Sequence, residues 1–405
     1  MKYCRIICGM LSALTVMLCV SGCGTREQSS STAETEQPAD STPFAGYLSN
    51  TWISTGNNTV VWEDDVSCGF RAYLPVEAAG EFEYCFYFSN NVDSTWAKGE
   101  HSHAGMPGSA YTIDAAEIGI ASEAGGAVRE TKLVTFGGSG TRAVSPGETF
   151  WSDPLTYNVP EGQYLVWTWY VHGEMIPATV MSDLAPTYVS GDSKKFIYTN
   201  EIPLPQLIGC KRDVQKKIAL IGDSITQGCG TPQYGNAFWG ANIAKSLGTK
   251  ASLWNLGLGY ARASDCALNG DWLARAKHAD LVLVAFGTND MVSGQYGVGK
   301  PNAASAIENW LRQITVSLQE AGCEVILLNA PPFDFDEVRE GIRTELNAAL
   351  PAAAESLGVP VFDWASLLSD PNAPGKALYG GHPDETGCKI ISDTFLSQFA
   401  DRLPA

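Results

Sequence analysis

Positive charge is scarce in this chain. Lys and Arg number 26 against 44 Asp and Glu, and the formal charge is −18 over 405 residues. No segment offers a basic stripe, so nucleic acid and other polyanions are poor partners. Among the seven cysteines from Cys68 onward none stands at a metal spacing such as Cys-x-x-Cys, and the common zinc frameworks go with that. The apolar run near the start, Ile6 to Val20, is too short for a comfortable membrane span. From about residue 44 to residue 207 no long helical pattern occurs, which excludes an all-α or simple βαβ reading of that half. What remains is ordinary globular material: 45% hydrophobic residues and a length that suggests two or three domains with full cores.

The N-terminus reads as a targeting segment. Lys2 and Arg5 form a basic region ahead of the apolar run, and Met1–Gly22 carries no acid. Removing its two positive charges leaves −20. The run ends in Val20-Ser21-Gly22-Cys23, which resembles a bacterial lipobox. That resemblance implies cleavage before Cys23, a lipid on its thiol, and an extracytoplasmic protein anchored to a membrane. A plain signal peptide with an incidental cysteine is the alternative. Residues 23–43 are rich in Ser, Thr, Glu and Gln without apolar period, the composition of a flexible tether.

Of 11 cysteines, Cys4, Cys8 and Cys19 leave with the leader and Cys23 is the lipidation candidate. Cys68, Cys85, Cys210, Cys229, Cys266, Cys323 and Cys388 remain. Cys68–Cys85 and Cys229–Cys266 are candidate bridges in an oxidising compartment, and buried free thiols are the plainer reading.

Residues 44–208 carry β signals throughout. Ser67–Leu74, Gly80–Phe88 and Gln163–Val171 are rich in aromatic and β-branched residues, and turn signals such as Gly137-Gly138-Ser139-Gly140 and Pro160-Glu161-Gly162 separate them. Short strands at this spacing suggest a jelly-roll-type β-sandwich. Trp52, Trp62, Trp96, Trp151, Trp167 and Trp169 lie here. Sugar stacking is one use for them, and core packing is favoured; Trp167 and Trp169 share a strand face and belong inside. His101 and His103 stand two apart in a Gly-containing loop without an acidic or cysteine partner, so no metal site is assigned.

Residues 209–405 change to alternating strands and helices. Strands are expected at Lys217–Ile221, Ala251–Asn255, Leu281–Phe286, Glu324–Asn329 and Val359–Phe362. Helices are expected at Ala303–Ala321, with Ile307, Leu311, Ile314 and Leu318 on one stripe, at Glu337–Leu357, where Pro351 kinks it or begins a new one, and at Glu385–Ala400. Such alternation implies a parallel sheet covered on both faces, a flavodoxin-like α/β/α arrangement.

The first of these strands ends in Gly222-Asp223-Ser224-Ile225-Thr226-Gln227-Gly228. Parallel sheets bind ligands beyond the carboxyl ends of their strands, so Ser224 sits where a reacting group is useful. Serine needs a neighbouring base. This half holds His278, at the wrong end of its strand, and His382, just before the last helix. Gly-Asp-Ser-Ile-Thr-Gln-Gly resembles block I of the SGNH (GDSL) hydrolases. Asn255-Leu256-Gly257-Leu258-Gly259-Tyr260, Gly287-Thr288-Asn289-Asp290 and Tyr379-Gly380-Gly381-His382-Pro383 resemble blocks II, III and V in the family's order. The resemblance implies an α/β/α SGNH hydrolase domain in which Ser224 is the nucleophile and His382 the general base. It further implies an oxyanion hole from the Ser224 N–H, the Gly259 or Tyr260 backbone and the Asn289 side chain. Gly222 and Asp223 then shape the nucleophile turn.

Two departures stand out. The family's oxyanion glycine falls on Tyr260, which matters only if φ must be positive there. Tyr379 occupies the place of the aspartate that usually orients the histidine. Either a backbone carbonyl orients His382, giving a Ser-His dyad, or Asp384, Asp370 or another acid approaches, or the site is disabled; the dyad is preferred. Segments such as Phe88-Ser89-Asn90 and Trp151-Ser152-Asp153-Pro154 are similar to the β-domain that precedes some bacterial GDSL esterases. The family reading implies an esterase that removes O-acyl groups, above all acetyl, from a carbohydrate, without metal or organic cofactor. A lipase or lysophospholipase-type esterase and a non-catalytic glycan-binding lipoprotein are the alternatives.

Overall fold

A computed structural model describes residues 43–61, 66–94, 104–180, 184–191, 195–292 and 300–404. Thr42 to Ala405 form one compact unit. The leader, Cys23 and nearly all of the tether lie outside the described residues, as do Trp62, Trp96, His101 and His103. Among the described residues no helix is long and apolar enough to cross a membrane.

Up to Cys210 the described chain is almost wholly β. The strand Tyr164–Gly173 lies between Val66–Pro75 and Tyr111–Ala121, antiparallel to both. A second antiparallel sheet is built on Gly80–Ser89, which pairs with Leu207–Cys210 on one side and with Thr149–Trp151 and Leu155–Val159 on the other. Alternation along Tyr164–Gly173 sends Trp167 and Trp169 to one face. There they meet the second sheet: Phe86 lies 4.9 Å from Trp167 and Phe88 5.8 Å from Trp169, centroid to centroid. Both tryptophans are buried, as their shared face requires. Full burial of a phenylalanine is worth about 1.5–3 kcal/mol, so these aromatics bind the two sheets across one core. Trp52 and Trp151 are only half-buried. Trp151 lies edge-on to Phe44, and Lys245 stands over the Trp52 ring.

Beyond Cys210 a parallel sheet follows. Its strands are β1 (Lys216–Gly222), β2 (Ala251–Gly257), β3 (Leu281–Ala285), β4 (Glu324–Leu328) and β5 (Val361–Phe362), in the order β2-β1-β3-β4-β5. Every neighbouring pair is parallel. This is the flavodoxin-like order, and the chain reverses direction across the sheet between β1 and β3. β3 is buried at all five positions, the continuous apolar run of a strand covered on both faces. β5 begins two residues later than expected. Pro360 has no N–H to give the ladder, and its carbonyl accepts from Leu327 instead.

The helix Ala304–Glu320 buries Ile307, Leu311, Ile314 and Leu318 as one stripe, and Gly322 at φ +88° turns the chain away. Glu337–Leu357 is a single helix, so Pro351 starts no new one. It sits on the exposed face, where solvent can reach the carbonyl that loses its donor. The last helix, Glu385–Gln398, is followed by a 3₁₀ turn at Ala400–Arg402.

Among the described residues no disulfide joins the seven cysteines from Cys68 onward, which overturns both candidate bridges. Cys68 packs against the core between the β-sheets, whereas Cys85 lies in a separate cluster with Tyr47, Tyr87 and Leu207. Cys266 is buried in the α/β core, and the Cys229 thiol faces the Gln227 side chain.

Buried charge joins the β-rich and α/β parts. Arg275 and Asp93 form an ion pair at 2.5 Å with both side chains 1% exposed. Arg212 pairs with Glu77 at 2.8 Å, and the Tyr87 hydroxyl donates to Asp271 at 2.6 Å.

Candidate active site

β1 delivers the site. Ser224 opens a one-turn helix, Ser224–Gln227, immediately beyond the strand's carboxyl end. Asp223 caps that turn by accepting the Ile225 N–H at 3.0 Å, and Gly228 ends it at φ +117°. Gly222 is required by space: a Cβ there would stand 2.3 Å from Thr226 Oγ1 and 2.5 Å from the Ala285 carbonyl. The strand can therefore turn into the helix only with hydrogen at that position.

His382 reaches Ser224 from the loop before the last helix, and its Nε2 stands 2.8 Å from Ser224 Oγ. The imidazole lies edge-to-face against Phe333, with centroids 5.3 Å apart. Gly230, at φ +97°, passes so close that a Cβ would meet the His382 carbonyl oxygen at 2.6 Å. His382 is thus fixed by packing from two sides. Burial holds its pKa below the ordinary 6.5, which keeps the ring neutral and able to accept a proton.

No acid hydrogen-bonds the His382 ring among the described residues. Asp384 caps the last helix, accepting from the Thr386 and Gly387 N–H groups at 2.9 Å each. Asp370 accepts the Asn372 N–H at 2.8 Å. Both carboxylates are occupied locally, which removes these two candidates for the orienting acid. Tyr379 has a packing role: its carbonyl accepts from Asp384 N–H at 3.0 Å, and its side chain lies over Gly387. His278 is remote from this geometry. It stacks on Phe44 at 4.4 Å, beside the amino end of β3.

The loop after β2 comes alongside. Leu258 N–H donates to the Gly222 carbonyl at 3.0 Å, tying the loop to the end of β1. Asn255 Oδ1 accepts the Gly257 N–H, and its amide reaches the Gln227 carbonyl. Tyr260 has φ +63°, so the position does demand the left-handed region, and a tyrosine adopts it at a cost of about 1–3 kcal/mol. Asn289, after β3, donates its side-chain amide to the Ala261 carbonyl at 3.0 Å. The loop through Gly259 and Tyr260 is therefore bonded to Gly222 at one end and to Asn289 at the other, beside the carboxyl ends of β1, β2 and β3.

Two buried carboxyls underlie the site. Burial pushes both Asp223 and Asp290 up to about 7, against the N–H groups each accepts. Asp290 accepts the Ala263 N–H at 2.9 Å and so anchors the far end of the same loop.

Sequence reasoning did not single out Phe333, Gly230 or Asp290. Gly230 carried a faint signal as a glycine soon after the nucleophile turn. Phe333 carried none, because its contact depends on where a distant loop returns.

A model of the GDSL-like Lipase/Acylhydrolase family matches residues 220–390. No curated protein matches the chain. Among solved structures, a member of the lipolytic protein G-D-S-L family from Veillonella parvula is 21% identical, over 45% of this chain and 98% of its own, with a TM-score of 0.38. An acetylxylan esterase from Geobacillus stearothermophilus is 17% identical, over 46% and 94%, with a TM-score of 0.38. An aryl esterase from M. smegmatis is 20% identical, over 46% and 100%, also at 0.38.

Proposed function

We propose that the chain is a serine esterase that removes O-acyl groups from a carbohydrate through an acyl-serine intermediate. The contact of Ser224 Oγ with His382 Nε2 at 2.8 Å, beyond the carboxyl end of β1, carries this reading. The family match over residues 220–390 supports the hydrolase part of it. Ser224 Oγ adds to the ester carbonyl carbon while His382 Nε2 takes its proton. The Ser224 N–H, the Gly259–Tyr260 backbone and the Asn289 amide receive the oxyanion. Collapse breaks the bond to the alcohol, and His382 returns the proton to that oxygen. Water then gives a proton to His382 and attacks the acyl carbon; the bond to Ser224 Oγ breaks, His382 returns the proton to that oxygen, and the acid leaves.

Ser224 and His382 act as a dyad in this reading. The fixed, partly desolvated imidazole does without the orienting aspartate whose place Tyr379 takes. Acetyl is the preferred acyl group, on the strength of the family resemblance. We read the two facing β-sheets as a jelly-roll-type sandwich and Cys23 as the lipid attachment point of an extracytoplasmic protein.

Release of p-nitrophenol from p-nitrophenyl acetate by the chain from about Pro43 tests the chemistry. Turnover by the wild type, and its loss in Ser224→Ala, supports the esterase. A folded wild type as slow as Ser224→Ala on short and long acyl esters would overturn it, and glycan binding without turnover would then be the function to measure.

A further inference from the structure

We propose that Asn58, in the β-rich part, is a positioning residue that aims the Tyr260 N–H at the oxyanion; the inference rests on the esterase reading above. Asn58 is fully buried. Its Nδ2 donates to the Gly259 carbonyl at 3.1 Å, across 201 residues of chain. Its Oδ1 accepts the Val180 N–H at 3.1 Å, and its own N–H donates to the Ala178 carbonyl at 2.9 Å. The amide is held at both ends and cannot swing.

The Gly259 carbonyl and the Tyr260 N–H belong to one peptide plane. In a trans peptide the two groups point in opposite directions, so pinning the carbonyl sets the direction of the N–H. The same peptide precedes the positive φ of Tyr260, a conformation that persists in a non-glycine residue only when its surroundings over-determine it. Asn58 supplies that determination from one side. Asn289, through the Ala261 carbonyl, supplies it from the other.

The brace also reaches the nucleophile. The Val180 carbonyl accepts from Gln227 Nε2 at 2.7 Å, and Gln227 closes the single turn that Ser224 opens. One residue of the β-rich part, Val180, thus links through its N–H and carbonyl the two segments whose spacing decides whether the oxyanion forms within reach of its donors. Preorganisation of this kind governs oxyanion stabilisation, because a donor aimed in advance needs no reorganisation when charge develops.

The test compares wild type, Ser224→Ala, Asn58→Ala and Asn58→Asp on p-nitrophenyl acetate. Competent sites are counted by running phosphylation with diethyl p-nitrophenyl phosphate to completion. Asn58→Asp keeps the shape and the acceptor for Val180 but turns an oxygen toward the Gly259 carbonyl. The expected result is a fall of about ten- to hundredfold in kcat per counted site for both variants, with KM within about twofold. Inhibition by phenylboronic acid, which forms a tetrahedral adduct on serine, should weaken by a similar factor. A purely structural asparagine would lower the number of competent sites or the thermal midpoint and leave kcat per site unchanged. That outcome in either folded variant, beside an active wild type and an inactive Ser224→Ala, overturns the inference alone. A folded wild type without turnover overturns the esterase reading, and this inference with it.

Discussion

Ser224 Oγ and His382 Nε2 meet at 2.8 Å although 158 residues separate them in the chain. The contact is made because Ser224 opens the turn just beyond the carboxyl end of β1, while the loop carrying His382 returns to the same edge between β5 and the last helix. Replacing either partner by alanine should lower kcat/KM on p-nitrophenyl acetate by about 10³-fold or more, as expected for loss of a nucleophile or its base. Thermal unfolding should move by only a few degrees. A residual activity above a tenth of wild type in Ser224→Ala would assign the chemistry to another residue.

The acid limb of the pH profile should report His382. Burial lowers its pKa below 6.5, so the neutral ring, which the proposed mechanism uses as the base, persists to more acidic pH than in a free imidazole. Activity is therefore present above that value and is lost as pH falls through it. The same sign holds for stability, since the unfolded chain binds the proton more readily. The kcat/KM midpoint should lie below 6.5. A midpoint above 7 would indicate a carboxylate partner stabilising the imidazolium.

Gly230→Ala should damage catalysis from outside the reacting groups. Its φ of +97° disfavours any side chain, and the added Cβ would press on the His382 backbone. A fall of at least about tenfold in kcat, with a small change in KM, is expected from displacement of the base by a fraction of an ångström to an ångström. Wild-type kinetics in this variant would show that the loop has room to retreat.

Gly222→Ala should act on folding as well. Thr226 and the Ala285 carbonyl leave no room for a methyl group, and overpacking of this kind costs about 1–3 kcal/mol. Urea unfolding measures it, with an unchanged midpoint as the contrary result.

Arg275→Met should strand Asp93 in the boundary between the β-rich and α/β parts. Removing one member of a buried ion pair typically costs about 3–5 kcal/mol. The double variant Arg275→Met, Asp93→Leu should recover part of that loss, since the stranded charge is gone while the buried Asn57 N–H, which donates to Asp93 Oδ2 at 2.8 Å, loses its acceptor. Equal stabilities for the single variant and the wild type, by urea unfolding, would contradict this account.

The parallel sheet was legible because each strand is a short apolar run closed by glycine or a polar turn, and because a helix stripe such as Ile307, Leu311, Ile314 and Leu318 has only one way to be buried. Boundaries slipped where hydrogen bonding decides them, as at Pro360, whose ring lacks the N–H that pairing needs. Local motifs, after strand ends for Ser224 and Asn289 and before the last helix for His382, pointed to the segments among which Ser224 Oγ and His382 Nε2 come into contact. The bridges between Cys68 and Cys85 and between Cys229 and Cys266 were not decidable that way, since thiol pairing depends on which cluster each strand face joins.

Chain order and residue type alone therefore determined the βαβ alternation, the β-rich first half and the placement of Ser224 at the end of a buried strand. These follow from periodicity and from the backbone, which act over a few residues. Only the tertiary structure decided that Asp384 caps a helix instead of orienting His382, that Phe333 and Gly230 hold the imidazole, and that Asn58 grips the Gly259 carbonyl. Each of those depends on a hydrogen bond or a close approach between segments that local sequence does not encode, and on the distances that remain once both sheets have buried their apolar faces.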